Sequence, residues 1–363
     1  MAGFIAVHCG AGYHSDKLKK DYQKLCQLAC QKAEVILAQN GNSMDAVEAA
    51  LIVLENSGLT NAGYGSNLSW EGTVECDASI MNGTTLHFGA CGAVSNVHNP
   101  ISLAKLLCNK QCENLSLGRV PPCFLTGNGA RTWAERMGLE IVEDSKMVSP
   151  RASTNYKHCK RKLKRYSQQN ALRFSPLDTV GAICVDSDGN VAAGASSGGV
   201  SLKHEGRVGQ AASFASGVWA STGTDTKPSI ASCTSGCGEH IIRTQLAKNV
   251  AESLTDSCPT TAMAKCLKEQ FYESPFLWDI PVKLGGVIGL RYNSADGSGE
   301  FLWGHTTPSM CIGYSTAGVS RPKCVMSQLP VNVKAGSKSI VGGIPFSVKK
   351  KPQPVIVWEL KTD

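Results

Sequence analysis

The 363-residue chain has no uninterrupted apolar run near the roughly 20 residues that a membrane-spanning helix requires, so no span is expected. Its opening, Met1-Ala2-Gly3-Phe4-Ile5-Ala6-Val7, lacks a basic n-region, and the apolar stretch there has the length of a strand rather than of a secretory core. Sixteen cysteines are present, yet no two are spaced C-x-x-C; Cys26/Cys30, Cys108/Cys112 and Cys233/Cys237 are spaced C-x-x-x-C. Many of them sit inside apolar runs, as Cys26 and Cys30 do on a helix pattern and Cys184 on a strand pattern. This usage argues against a disulfide framework and against zinc. The expectation is a protein of a reducing compartment, nucleus and cytoplasm, with no metal and no cofactor.

What is present is a globular composition: 42% hydrophobic residues and 37 glycines, with a length that suits two average domains or one large layered one. The formal charge of +7 is modest, and much of it falls in one segment. Residues 3–8 read as a buried strand ending at His8-Cys9-Gly10-Ala11-Gly12. Helical periodicity runs from about Lys17 to Gln39, with Tyr22, Leu25, Cys26, Cys30 and Ala33 on one face, and again from Ser43 through Leu54. A glycine-rich loop follows, Asn61-Ala62-Gly63-Tyr64-Gly65-Ser66-Asn67. Strands are predicted around 72–80 and 86–93, and short helices around 101–109 and 129–137. Residues 145–178 are polar and contain Lys157-His158-Cys159-Lys160-Arg161-Lys162-Leu163-Lys164-Arg165; they read as a mobile linker or an amphipathic helix. Beyond them come strands flanking an Asp188-Gly189 hairpin turn, helices at 239–254 and 259–272, and strands near 283–292, 298–303 and 309–315. The last 40 residues read as edge strands or a tail. Two helical blocks and two groups of strands imply a layered α/β fold with one continuous core.

The chemistry is concentrated from Asp178-Thr179 onward. A threonine hydroxyl is a poor nucleophile without a base, and cutting the chain at Asp178-Thr179 would give Thr179 a free α-amine to act as one. Thr179 heads a strand, and a tight turn brings that strand back antiparallel, so Ser197 falls opposite it, able to hydrogen-bond its hydroxyl or amine. A plain serine turn is the other reading of Ala195-Ser196-Ser197-Gly198-Gly199. Arg207, flanked by glycines in Gly206-Arg207-Val208-Gly209-Gln210, can offer its planar fork to a carboxylate, or be simply exposed. In Thr234-Ser235-Gly236-Cys237-Gly238-Glu239, Ser235 and Gly236 are suited to hold an oxyanion, though a helix N-cap would also explain the run.

In this order, Thr-x-Gly-Ala, Ser-Ser-Gly-Gly, Gly-Arg-Val-Gly and Ser-Gly-Cys-Gly-Glu closely resemble the N-terminal-nucleophile hydrolases of the plant-type asparaginase group, and within it the threonine aspartases (taspases). The likeness extends through His8-Cys9-Gly10-Ala11-Gly12, Asn61-Ala62-Gly63, Asp77-Ala78-Ser79-Ile80-Met81 and Gly304-His305-Thr306-Thr307. The resemblance implies a four-layer αββα sandwich. It also implies two subunits, 1–178 and 179–363, that form one composite domain after self-cleavage. Thr179 would be the nucleophile and its amine the base. Ser197 would assist, Ser235 and Gly236 would be oxyanion donors, Arg207 would bind a substrate carboxylate and Asn61 would line the site.

Gln210 departs from the amidase pattern. Asparaginases and glycosylasparaginases carry aspartate there to pair with the α-ammonium of an amino-acid substrate. A neutral glutamine lacks that charge, and an Asp inside a polypeptide has no α-ammonium to pair. Losing such a charge-assisted bond is worth roughly 1.5–3 kcal/mol, enough to change substrate class. The reading is therefore a self-processing endopeptidase that cuts after Asp, with L-asparaginase or isoaspartyl peptidase as the alternative. Asp178 at the self-site agrees, and Leu177 before it suggests an apolar-Asp site; the resemblance adds glycine after the Asp, and nuclear transcription regulators as substrates. It also suggests an αβ unit that pairs to α2β2. The basic run at 157–165 lacks interleaved aromatics, so direct nucleic-acid binding is not expected and a nuclear-import signal is the functional reading.

Overall fold

In the computed structural model, which describes residues 3–166, 178–318 and 321–348, the chain opens with β1 (Phe4–Gly12), α1 (Lys19–Ala38) and α2 (Ser43–Glu55). Asn42 caps α2 by accepting the Asp45 N–H at 2.8 Å. Next come β2 (Cys76–Asn82), β3 (Phe88–Val94) and α3 (Pro100–Lys110), whose proline occupies the first helical position, where no N–H is needed. β4 (Phe124–Thr126), α4 (Gly127–Arg136), α5 (Asp144–Met147) and α6 (Pro150–Tyr166) complete the part before the Asp178-Thr179 junction. After the junction follow β5 (Val180–Val185), β6 (Val191–Ser197), β7 (Val218–Ser221) and β8 (Ser229–Gly236). Then come α7 (Gly238–Thr244), α8 (Leu246–Ser253) and α9 (Pro259–Cys266). The chain continues through β9 (Gly285–Tyr292), β10 (Ser298–His305), β11 (Ser309–Thr316), β12 (Lys323–Gln328) and β13 (Ile340–Ser347).

These elements make a four-layer αββα sandwich. An eight-stranded sheet runs β12-β11-β1-β5-β6-β2-β3-β4, and a five-stranded sheet runs β13-β10-β9-β8-β7. Strand alternation explains the layers. On β1, Ile5, Val7 and Cys9 face the helices α1 and α2, whereas Phe4, Ala6 and Ala11 face the second sheet. A third apolar layer, with Ile241, Val250, Met263 and Phe271, joins α7–α9 to the five-stranded sheet. The central sheets are buried on both faces, and their strands are correspondingly apolar in long runs.

Several boundaries differ from the sequence expectation for identifiable reasons. The first strand does not end at His8; it continues to Gly12, with its pairing to β11 shifting register between His8 and Ala11. The helix expected over 239–254 is broken into α7 and α8 at Gln245, which is left-handed at φ 45°. The helix expected over 259–272 is α9 up to Cys266 and continues as a π-helix over Leu267–Tyr272. Of the two readings for the polar insert, the helical one holds over Pro150–Tyr166, while 167–177, including Leu177, lie outside the described residues. The C-terminal expectation of edge strands matches β12 and β13, which close the outer edges of the two sheets; 349–363 lie outside the described residues. Among the described residues no helix is long and apolar enough to cross a membrane.

Candidate active site

Thr179 immediately precedes β5, which lies between β1 and β6 near the middle of the eight-stranded sheet. The β5–β6 hairpin pairs Val180 with Ser196, so the next pair outward is Thr179 and Ser197. The Asp186 carboxylate fixes the turn that sets this register by accepting the N–H groups of Asp188 and Asn190, each at 3.0 Å. Val180 and Ala182 point toward the helices, which turns Thr179 to the inter-sheet side with Gly181 and Ile183.

The Thr179 hydroxyl is fully engaged. Thr179 Oγ1 donates to Ser197 Oγ at 2.9 Å and accepts from Gln210 Nε2 at 3.0 Å. Ser197 Oγ also accepts the Gly199 N–H at 3.1 Å, which orients it as the proton-accepting partner of the threonine. A neutral amide N–H pointing at Oγ1 would favour alkoxide character on that oxygen at no cost in reorganisation. Gln210 thus touches the Thr179 hydroxyl itself.

Behind this trio, His8 is fully buried and its imidazole is pushed down to about 3 by burial, against the opposing influence of the Thr179 backbone. It is therefore neutral, with Nε2 2.9 Å from Cys233 Sγ. Ser235, the penultimate residue of β8, is buried and is not among the residues that line the pocket; its Oγ accepts the Ala11 N–H at 2.9 Å, and its hydroxyl can still donate. Gly236, at the strand end, lines the pocket and has φ 142°, which favours glycine. Asn61 organises the facing loop: its Nδ2 donates to Gly199 O at 2.7 Å, its Oδ1 accepts the Asn67 N–H and its carbonyl accepts the Gly198 N–H.

Arg207 reaches the same pocket, but its fork is partly occupied. Nε and Nη2 donate to the two carboxylate oxygens of Glu239, each at 2.9 Å. Burial works against the Glu239 charge, yet the guanidinium holds its carboxyl below the usual range. The Nη1 side of the fork is what this pairing leaves for a further carboxylate. Gly238 permits the arrangement, because a Cβ there would lie 2.7 Å from both Arg207 Nη2 and Gln210 Oε1. The loop is pinned from below by buried Asp77, which accepts the Gly209 N–H at 2.8 Å and the Ala93 N–H at 2.9 Å. His8, Asp77 and Glu239 stand within sequence motifs, but no local signal in the sequence marks these contacts.

Asp178 stands on the other side of the junction. It is 5% exposed, and its Oδ1 has no hydrogen-bond partner among the described residues. Burial pushes its carboxyl up from the ordinary value, opposed by the charges of His14 and Arg151. The pocket shared by Asp178, Thr179, Ser197, Arg207 and Gln210 encloses only about 10 Å³, room for about one water at most. A larger cleft of about 610 Å³ also reaches Asn61 and Asp178, and is walled by Arg151, Asn155, His158 and Arg161 of α6.

The family profile described as asparaginase matches residues 1–323. Among curated proteins, the chain is 37% identical over 248 residues to an isoaspartyl peptidase/L-asparaginase of Xenopus laevis, covering 68% of this chain and 74% of that protein. It is 37% identical over 252 residues to the protein of that name from Homo sapiens (68% and 75% covered). The one from Danio rerio is 33% identical over 250 residues (69% and 75% covered).

Proposed function

We propose, on the premise that this chain belongs to the asparaginase family, that it is a self-processing threonine endopeptidase of the threonine aspartase kind that cuts polypeptides after aspartate. At the coarser level it is a hydrolase of the N-terminal-nucleophile type. The observation that carries the finer reading is the charge inventory of the pocket. Of the described residues that line it, Arg207 is the one cation and Asp178, from the bond to be cut, the one carboxylate. An aspartate within a chain brings one carboxylate and no ammonium. Free asparagine or a β-aspartyl dipeptide brings an α-ammonium as well, and at the pocket wall it would meet the neutral amide of Gln210. The 610 Å³ cleft beside Asp178 gives further support, since it can hold several residues of a chain on the acyl side of the bond.

In the precursor, Thr179 Oγ attacks the Asp178 carbonyl carbon while its proton passes toward Ser197. The C–N bond breaks, the acyl group moves from nitrogen to oxygen, and the proton ends on the new α-amine of Thr179. Water then hydrolyses the ester and releases Asp178 as a C-terminus. In the mature enzyme the α-amine takes the Thr179 proton and passes it to the leaving amine, Ser235 and Gly236 hold the oxyanion, and water frees the acyl-enzyme. Protein substrates with an apolar-Asp-Gly site, pairing of αβ units to α2β2, and nuclear import through the exposed basic residues of α6 belong to the same proposal.

The second reading, isoaspartyl peptidase/L-asparaginase, is favoured by the names of the relatives. The two separate in one assay of cleaved protein against an internal Leu-Asp-Gly peptide, L-asparagine and a β-aspartyl dipeptide. Turnover of the peptide alone is expected. Hydrolysis of either small substrate with the peptide left intact would overturn the endopeptidase reading in favour of the second.

A further inference from the structure

Cysteine sulfurs converge on the helix-covered face of the eight-stranded sheet, the face turned away from the second sheet. Cys26 comes from α1, Cys311 from β11 and Cys324 from β12. Their Sγ atoms lie within 4.8 Å of one another, with Cys26 3.7 Å from Cys311 and Cys311 3.8 Å from Cys324. Cys9 of β1 adds a fourth sulfur, 3.2 Å from that of Cys26. A zinc–thiolate bond of about 2.3 Å gives a tetrahedral sulfur–sulfur edge of about 3.8 Å, so the two measured separations fit the edges of such a site.

The backbone is shaped to allow this approach. Gly313 lies opposite Cys324 in the β11–β12 ladder and opposite Val7 in the β1–β11 ladder. A Cβ at Gly313 would stand 2.8 Å from the Cys26 Cβ and 3.2 Å from its carbonyl oxygen, so a larger residue would push α1 off the sheet and Cys26 away from its partners. Cys26 and Cys311 are fully buried, while Cys324 is half-buried at the rim and gives an ion a route in.

We propose that Cys26, Cys311 and Cys324 form a zinc(II) site that ties α1 to the edge strand β12. Binding displaces the thiol protons of the three cysteines. Three thiolates around Zn²⁺ leave one net negative charge, whereas around copper(I) they would leave two, so the divalent ion is the cheaper one to bury. The fourth position falls to water, since Cys9 Sγ is not among the sulfurs that lie within 4.8 Å of one another. Local spacing had argued against zinc, but spacing rules register ligands close in sequence, and these three come from three separate elements.

The test uses the full chain produced with zinc in the medium, dialysed extensively and analysed for metal by mass spectrometry. About one zinc per chain is expected in the wild type and in Cys30→Ala, which removes a buried thiol one turn along α1 and outside the triad. Cys324→Ser, at the rim, should lose the metal, and chelation should lower the Tm of the wild type but not of this variant. If Cys324→Ser does not fold, cobalt(II) titration of the apo wild type decides instead, since three thiolates should give an intense sulfur-to-cobalt charge-transfer band. Wild type with no more than background zinc, zinc retained in Cys324→Ser, copper in its place, or no charge-transfer band would overturn the site.

Discussion

The two residues of one peptide bond, Asp178 and Thr179, are both buried, yet their surroundings are opposite in kind. Thr179 Oγ1 has a donor and an acceptor at hydrogen-bond distance, and both are neutral. Asp178 has a carboxyl oxygen without a hydrogen-bond partner among the described residues, and a proton affinity raised by burial. Satisfied polar groups on one side give a fixed geometry for attack, while an unsatisfied acid on the other makes the intact chain costlier to hold. Cleavage at this bond, as proposed, would relieve only the costly side: it would free Asp178 to move toward water and leave the side-chain partners of Thr179 Oγ1 in place. A self-cutting site needs this asymmetry, because the half that remains is the half that must stay ordered for later turnovers.

The comparison can be broken most severely from the Thr179 side. Thr179→Ala is expected to abolish self-cleavage, leaving a single full-length band on a denaturing gel; two fragments from this variant would remove Thr179 from the role of self-cleaving nucleophile. A smaller change adds charge to the neutral side. Gln210→Asp is expected to lower kcat/KM for the Asp peptide by about tenfold or more, and to raise turnover of β-aspartyl dipeptide, given roughly 1.5–3 kcal/mol for a charge-assisted bond. Unchanged selectivity in steady-state assays would show that position 210 does not set substrate class. The smallest effect sharpens the Asp178 side. An acid whose folded value is raised contributes stability that is complete below the ordinary carboxylate range and is lost as pH rises through the raised value. In an uncut Thr179→Ala background, Asp178→Asn should therefore raise Tm near neutral pH by a few degrees, from ~1–3 kcal/mol for an unpartnered buried polar group, with less effect near pH 4. Equal shifts at both pH values would show that the charge of Asp178 is not what burial opposes.

The parts of this site that could be read in the sequence are those fixed by local periodicity. Asp188-Gly189 lies midway between two alternating runs, so the turn dictates the register and the register dictates that Ser197 faces Thr179. Arg207, Ser235 and Gly236 were legible as residue types suited to a task; Arg207 and Gly236 line the pocket beside Thr179, while Ser235 is buried next to Gly236 and is not among the lining residues. The rest depends on elements meeting in space. The Arg207–Glu239 pair joins a loop to a helix start, and His8 meets Cys233 across the two sheets, 225 residues apart in sequence. Asp77 shows as one buried carboxylate in a strand, and nothing in its neighbours tells that it holds Gly209. The α6 wall of the larger cleft was hidden for another reason: a polar, basic run gives no core pattern, although Ala152 is buried and Lys160 sits 3.8 Å over the Trp70 ring.

The order of the eight-stranded sheet has a consequence for how such an enzyme can be governed. β1 lies between β11 and β5, and β2 lies beside β6, so strands from before and after the junction interleave in blocks across the sheet. Severing Asp178 from Thr179, as proposed, would yield two chains that share the eight-stranded sheet and the core layers on its two faces, while the five-stranded sheet and its helical layer belong to the later chain alone. Activation of this kind would run in one direction, since separating the chains would tear that shared sheet apart. A cell could set how fast the precursor is made or how soon the mature protein is destroyed, but it would have no off-state to reach by pulling the halves apart.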